Sequence, residues 1–398
     1  MIRAVLFGTY TATHPANRLL ASALEAAGIA VATCHEPLWE RTRDKGAAFF
    51  GAKSLARLGL AYVGAAFRLR SRFRALPRPD LVVTGFNGQL DVLLARLIAG
   101  RRARIVFAPL VTLTETLVDD RRVYRPRGLK GRAARALDRW TLNLPGLVLT
   151  DTEAHRAWIA EHLTARARTA TLYLGAEPSF RPMPLRERRA DEPLRVLFYG
   201  QYVPLHGTTT IVEAAEHFTY DEGIELTMIG TGPERAATER LAAARGIKNI
   251  VFEDWVAYDQ LPARLATCDV ALGIFGTSTK ARMVIPTKVY QAAAAGRPVV
   301  TADTPALREV FTPGEDVLTV RSGDARALAA ALRHLRDSPD VAARMGAAAG
   351  RLLGEHLDVR AQGVRLRAVL ASAFPDLAEQ FTGAAAPIAP VLVGAPVV

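Results

Sequence analysis

Cysteine is almost absent from this chain: Cys34 and Cys268 stand alone in unrelated segments of 398 residues. Two such residues build no disulfide framework and show no metal spacing, so both read as small buried hydrophobes of a reducing compartment. Long apolar runs are missing as well. No uncharged stretch reaches the ~18 residues that suggest a membrane span, and the opening MIRAVLFG reads as a strand running into a turn rather than a secretory signal. Acidic residues are in short supply: Asp+Glu 39 face Lys+Arg 51, a net charge of +12. Such a balance suits an anionic substrate, an anionic membrane or nucleic acid. No helix-turn-helix, RNA-recognition or zinc module accompanies the basic residues, so nucleic acid is the weakest of the three. The expectation is a cytoplasmic protein, with peripheral membrane association left open.

The length exceeds what one core usually covers, and half the residues are hydrophobic, enough for two domains. Strand-like runs alternate with helical patterns throughout, the signature of parallel sheets built from βαβ units. An apolar strand running into glycine opens each half, VLFG at Val5–Gly8 and VLFYG at Val196–Gly200. The fold class expected is therefore α/β, with two Rossmann-like domains, 1–176 and 193–354, facing across a cleft. The proline-bearing, charged stretch Leu174–Glu192 reads as a linker, 355–374 as a helix crossing back to the first domain, and 375–398 as a disordered tail.

Gly273–Val300 carries the strongest chemical signal. It reads as a buried strand, a polar loop with Lys280, Arg282 and Lys288, a short Ala-rich helix and a second strand. A helix N-terminus has unpaired N–H groups and a partial positive charge. Two lysines ahead of such an end, on a loop that includes Pro286 and Thr287, make a place for a diphosphate. Gln291, one turn further on, is a candidate for sugar or ribose hydroxyls. Gly200–Gly207 closes the first strand of the second half: its glycines permit close backbone approach, Gln201 lies beside them, and His206 reads either as a phosphate donor or as a capping or core residue. Gly230 is a weaker turn signal. Trp255 and Val256 follow a short strand, where backbone groups can bind a nucleobase under an apolar side chain, although Trp255 also suits a core. In the first half Gly8, Thr9, Tyr10 and Arg18 form the first βα turn, either an ordinary turn or a ligand loop.

VLFYGQYVPLHG, ELTMIGTGPE, FEDWVAYDQLPARLATCDVALGIFG and PTKVYQAAAAGRPVVTADTPALREVF together resemble the donor domain of glycosyltransferase family 4, and FGTYTATHPANRLLASALEAAGI and VLTDTEAHRAWI extend the likeness over the first half. The resemblance implies the GT-B fold, a nucleoside diphosphate sugar as donor, transfer with retention of anomeric configuration, and no metal or other cofactor. It implies that Lys280 and Lys288 supply counter-charge to the diphosphate and that the first half binds the acceptor. The chain departs from many relatives in having Gln201 and His206 where an Arg and a Lys are common, Met283 and Gln291 near paired glutamates, and Ala108 and Pro109 where a His or Asp is frequent. PxKVYQ suggests a subgroup. Glu115, just beyond Pro109, is the candidate base or acceptor contact.

Residues 45–74 interleave basic side chains with Phe49, Phe50, Leu58, Tyr62, Phe67 and Phe73, a composition that fits either an anionic bilayer or packing on the first sheet. The acceptor is unknown: lipid-linked, polysaccharide or natural product. Competing functions are a non-hydrolysing nucleotide-sugar epimerase, and a non-catalytic nucleotide-sugar-binding or membrane scaffold protein.

Overall fold

The computed structural model describes residues 1–38, 52–163, 168–189, 191–218 and 223–381. Lys45, Phe49 and Phe50 of the basic segment, and the tail from 382 onward, lie outside the described residues. The described residues divide into two compact units: Met1–Leu174 with 359–381, and Gly175–Asp358.

The first unit runs β1 (Arg3–Gly8), α1 (Pro15–Ala26), β2 (Ala30–His35), α2 (Ala52–Ala75), β3 (Leu81–Thr84), α3 (Gln89–Ala99), β4 (Arg104–Phe107), α4 (Leu129–Leu142), β5 (Leu147–Thr150), α5 (Glu153–His162) and β6 (Arg168–Thr171). Its six strands are all parallel in the order β2-β1-β3-β4-β5-β6. Central strands such as LVVT of β3 and LVLT of β5 are buried at every position, as expected where helices cover both faces of a parallel sheet. One face packs on Leu20, Ala23 and Leu24 of α1, the other on Leu69 of α2 and Ala95 of α3.

The second unit runs β7 (Leu194–Tyr199), α6 (Thr208–Glu216), β8 (Ile224–Ile229), α7 (Arg235–Ala244), β9 (Ile250–Glu253), α8 (Leu261–Ala266), β10 (Val270–Leu272), α9 (Thr279–Met283), α10 (Thr287–Ala294), β11 (Val299–Ala302), β12 (Leu318–Val320), α11 (Ala325–Asp337) and α12 (Pro339–His356). Its parallel sheet has the order β12-β11-β10-β7-β8-β9. The chain therefore winds outward from β7 on one side and, after returning, from β10 on the other. The two strands adjoin at the point where the winding reverses, which is where ligands sit in open α/β sheets.

The stretch between the units is not a loose connector. Phe180 is 3% exposed, and the buried Arg297 guanidinium donates to the carbonyls of Met183 and Pro184 (2.8 Å to the latter), pinning this strand of chain to the second unit. Beyond α12, α13 (Val359–Ala373) packs on α1 in the first unit. Gly363 permits the approach, because a Cβ there would meet the Ala26 backbone at 2.6 Å. The expected tail begins later than its composition suggests. Pro375–Ala378 forms a short helix, α14, and Leu377 is fully buried, since its side chain completes the core beneath α13.

Candidate functional site

Four glycines shape the switch point of the second sheet. Gly200 follows β7 with φ 145, and Gly207, with φ 62, ends the loop and caps α6. A side chain at Gly207 would run into the backbone of Phe275 and Gly276 at 2.6 Å. One at Gly276 would strike the carbonyls of Pro204 and Leu205, and one at Gly230 the carbonyl of Gly200. Loops after β7, β8 and β10 thus touch backbone to backbone. That close packing leaves α6 with its N–H groups at the C-terminal end of the sheet, a position that favours an anion.

Lys288 lies in the first turn of α10 and points into this packing. A Cβ on Gly200 would stand 2.8 Å from Lys288 Nζ and 3.2 Å from His206 Cε1, so the amine and the imidazole meet at the same glycine. Nζ lies 3.9 Å from the centre of the Phe198 ring. It is buried and has no hydrogen-bond partner among the described residues. Burial in these apolar surroundings pushes its pKa well below the ordinary lysine value. An ammonium so placed is stabilised by any anion that enters. His206 Nδ1 donates to the Gln201 carbonyl, which sets the ring's orientation and leaves Nε2 as its other polar atom. Lys280 is buried on α9, whose short helix packs against the turn Pro204–His206, so it flanks the same loop.

Other candidates are placed differently. Gln291 is 2% exposed, and both ends of its amide are engaged: Tyr199 donates to Oε1 at 3.1 Å, and Nε2 donates to Tyr258 Oη at 2.6 Å. Tyr258 in turn donates to Glu177. Gln291 therefore ties α10 to the turn after the Trp255 loop, and the ribose contact read from its spacing would compete with these two bonds. Glu177, Tyr199 and Tyr258, which complete this network, carry no local motif that singles them out. Trp255 is 43% exposed beyond β9, which excludes the core reading and leaves its ring available to a ligand. Val256, which follows β9, and Pro286 and Thr287 at the start of α10 are half-buried.

In the first unit the β1 loop faces inward. Asp91 of α3 accepts from Thr9 N at 2.8 Å and Thr9 Oγ1 at 3.1 Å, and a Cβ on Gly8 would collide with it. Tyr10 is 5% exposed and packs against His35 with ring centroids 4.7 Å apart and the planes tilted by 46°. Thr9 and Tyr10 thus hold the loop's shape rather than presenting polar groups outward, and of this set Arg18 alone is exposed. Glu115 likewise departs from its expected role as base. It lies in a π-helical turn, Thr114–Asp120, is 0% exposed, and accepts from His155 Nε2 at 2.8 Å, while His155 Nδ1 donates to Asp151 at 2.7 Å. Burial alone would lower the imidazole's pKa, but the two carboxylates outweigh it and hold it up to about 10. The result is a buried imidazolium clamped between two anions. The i,i+4 spacing of Asp151 and His155 in DTEAH was visible in the sequence; the third partner, forty residues earlier, was not.

Three predictions follow from these placements. Lys288→Met removes a buried amine that has no partner, so it should raise unfolding free energy by about 1–3 kcal/mol while eliminating nucleoside diphosphate binding; loss of stability in urea titrations would contradict the placement. Gln291→Ala should lower stability by about 1–3 kcal/mol yet keep the same preference between ribo- and 2′-deoxyribonucleotide; a changed preference would return Gln291 to the ribose. The His155 contribution to stability is fully present below its unfolded pKa of 6.5, declines above it and is lost as pH rises through about 10. Urea unfolding across that range should show the decline in the parent protein and a flatter curve in His155→Gln.

Comparison with known proteins agrees with the second unit's architecture. Residues 193–338 match the family model for glycosyl transferases group 1. The putative colanic acid biosynthesis glycosyl transferase WcaI of Escherichia coli K12 is 32% identical over 114 residues, which is 28% of either chain, so the match spans under a third of that relative. Among solved structures, sucrose-phosphate synthase of Thermosynechococcus elongatus superposes with a TM-score of 0.71 at 15% identity, covering 94% of this chain and 100% of that one. HepE of Anabaena, in complex with UDP and glucose, gives a TM-score of 0.67 at 14% identity over 94% of this chain and 100% of its own. Two Rossmann-like units of this kind are the GT-B fold, and the second of them is similar to the group 1 glycosyl transferases over residues 193–338.

Proposed function

We propose that the protein is a retaining glycosyltransferase, of the family 4 subgroup with the PxKVYQ motif, that moves a sugar from a nucleoside diphosphate sugar to an acceptor hydroxyl. Lys288 is the observation that supports this most: a buried amine without a hydrogen-bond partner among the described residues, meeting His206 at Gly200, where the sheet's winding reverses. A leaving diphosphate supplies the negative charge this amine lacks. As the bond between the anomeric carbon and the phosphate oxygen breaks, positive charge grows on the sugar and negative charge on the departing diphosphate. Lys288, His206 and the α6 N-terminus act on that negative charge, and a site that is already organised stabilises it without further rearrangement. Lys280 supports the loop from α9. This counter-charge is the protein's own, so the reaction as proposed needs no metal and no cofactor besides the donor.

With Glu115 inside the His155 clamp, the acceptor proton leaves with a phosphate oxygen of the departing group rather than with that carboxylate. Trp255 covers the base. Nucleotide sugars are made in the cytoplasm, and we place the protein there. The concentration of cationic charge in the first unit favours a lipid-linked acceptor over a free one.

A nucleotide panel tests the donor class. UDP, seen in HepE, is the first member, followed by GDP, ADP and dTDP. One diphosphate should raise the melting temperature of the parent protein and leave Lys288→Met unchanged. The matching sugar nucleotide should then be stable with protein alone and consumed when an acceptor extract is added. Conversion of the sugar without acceptor would indicate an epimerase, and binding without turnover a scaffold.

A further inference from the structure

Ten large apolar side chains are exposed among the described residues, and seven of them lie on α2, α3 and α4. These helices are neighbours, since α3 packs against both α2 and α4, and α2 and α3 cover the same face of the first sheet. On α2 the inward side chains are Tyr62, Ala65, Leu69 and Phe73, at helical spacing. Leu60, Val63 and Phe67 form a second stripe on the opposite side, 76%, 54% and 71% exposed. Leu97 of α3 and Leu129 and Trp140 of α4 continue it at 81%, 84% and 58%. One apolar face holds the helix to its sheet, and among the described residues nothing covers the other.

Charge identifies what covers it. Between Lys53 and Trp140 there are 19 Lys and Arg against 6 Asp and Glu, an excess of 13 that exceeds the +12 of the whole chain. Four of the six acids, Asp91, Glu115, Asp120 and Asp138, are buried. The outer surface of the layer is thus cationic, with Arg57, Arg70, Arg74, Arg132 and Arg139 exposed around the apolar stripe. We infer that the outer face of α2, α3 and α4 docks on an anionic lipid bilayer, with Leu60, Val63 and Phe67 in the acyl boundary and the arginines among the headgroups. Long cationic side chains suit that depth because their stems are apolar and their tips reach the phosphates. Nucleic acid would use the charge but leave the apolar stripe in water.

The docked layer is joined to the sheet's ligand-facing end. Tyr62 Oη of α2 donates to Asp91 Oδ1 at 3.1 Å, and the same carboxylate holds Thr9 in the β1 loop. A lipid-borne acceptor held at the bilayer would be delivered beside that loop. No part of the docking inference depends on which donor the second unit binds.

Sedimentation of the full chain with vesicles tests it directly. Binding is expected to phosphatidylcholine vesicles containing about one-third phosphatidylglycerol and not to phosphatidylcholine alone, and to weaken as salt rises. The double variant Leu60→Ser, Phe67→Ser replaces exposed residues, so its melting temperature should match the parent's, and its partition coefficient should fall at least ~10-fold. Val251→Ser, at an exposed apolar position of the second unit, is the control and should bind as the parent does. Failure to bind anionic vesicles would overturn the inference. So would equal binding by the double variant, or binding to double-stranded DNA at least as tight as to the vesicles and unaffected by the double substitution.

Discussion

A buried amine with no hydrogen-bond partner among the described residues is the constraint around which the second unit is organised. Lys288 Nζ sits against the Phe198 ring in packing too close for any side chain at Gly200. An unpaired amine in such a place costs stability unless an anion completes it. The fold tolerates that cost because the glycine loops after β7, β8 and β10 lock together by backbone contact, and because Gln291, Tyr199 and Tyr258 fix α10 from its other side. Rigidity around the amine is what lets it remain unpaired. A flexible surrounding would turn it to water.

The first unit treats buried charge in the opposite way. There three buried ionisable groups are each met by hydrogen bonds: His155 by Glu115 and Asp151, Asp138 by the amides of Leu113 and Thr114, Asp91 by Thr9 and Tyr62. Burial raises Asp138 to about 6 and Asp91 to about 7 despite those donors. These groups hold loops in place. Fully satisfied networks of this kind specify a single arrangement, whereas a half-satisfied one invites a ligand. The contrast of these groups, and of the buried Arg297 held by the Met183 and Pro184 carbonyls, with Lys288 separates structural charge from charge set aside for binding.

How much of this was legible in the residues follows from the range of each interaction. Parallel strands declare themselves locally, through apolar runs such as LVVT and VLFYG ending in glycine, and the reversal of strand order follows from two successive βαβ series. The lysine loop was legible because its chemistry is compressed into PTKVYQ. The partners of Gln291 were not legible: spacing puts it one turn from Lys288, but Tyr199 and Tyr258, which bond its amide, come from distant segments. Glu115 followed the same course, since its position after β4 is visible in the chain while His155 reaches it only through the fold. Two-sided apolarity on α2 was visible as composition, but which side faces the sheet needed coordinates.

The central claim is that Lys288 gains its charge when a diphosphate arrives, and proton uptake measures it most directly. Calorimetric titration with the nucleoside diphosphate that the protein binds, at mildly alkaline pH in two buffers of different ionisation enthalpy, counts protons taken up on binding. An anion beside a lysine with a lowered pKa raises that pKa, so the account predicts net uptake by the parent protein. Binding with no uptake, or with proton release, would show that the amine is already charged and answered in the empty site, and would contradict the account.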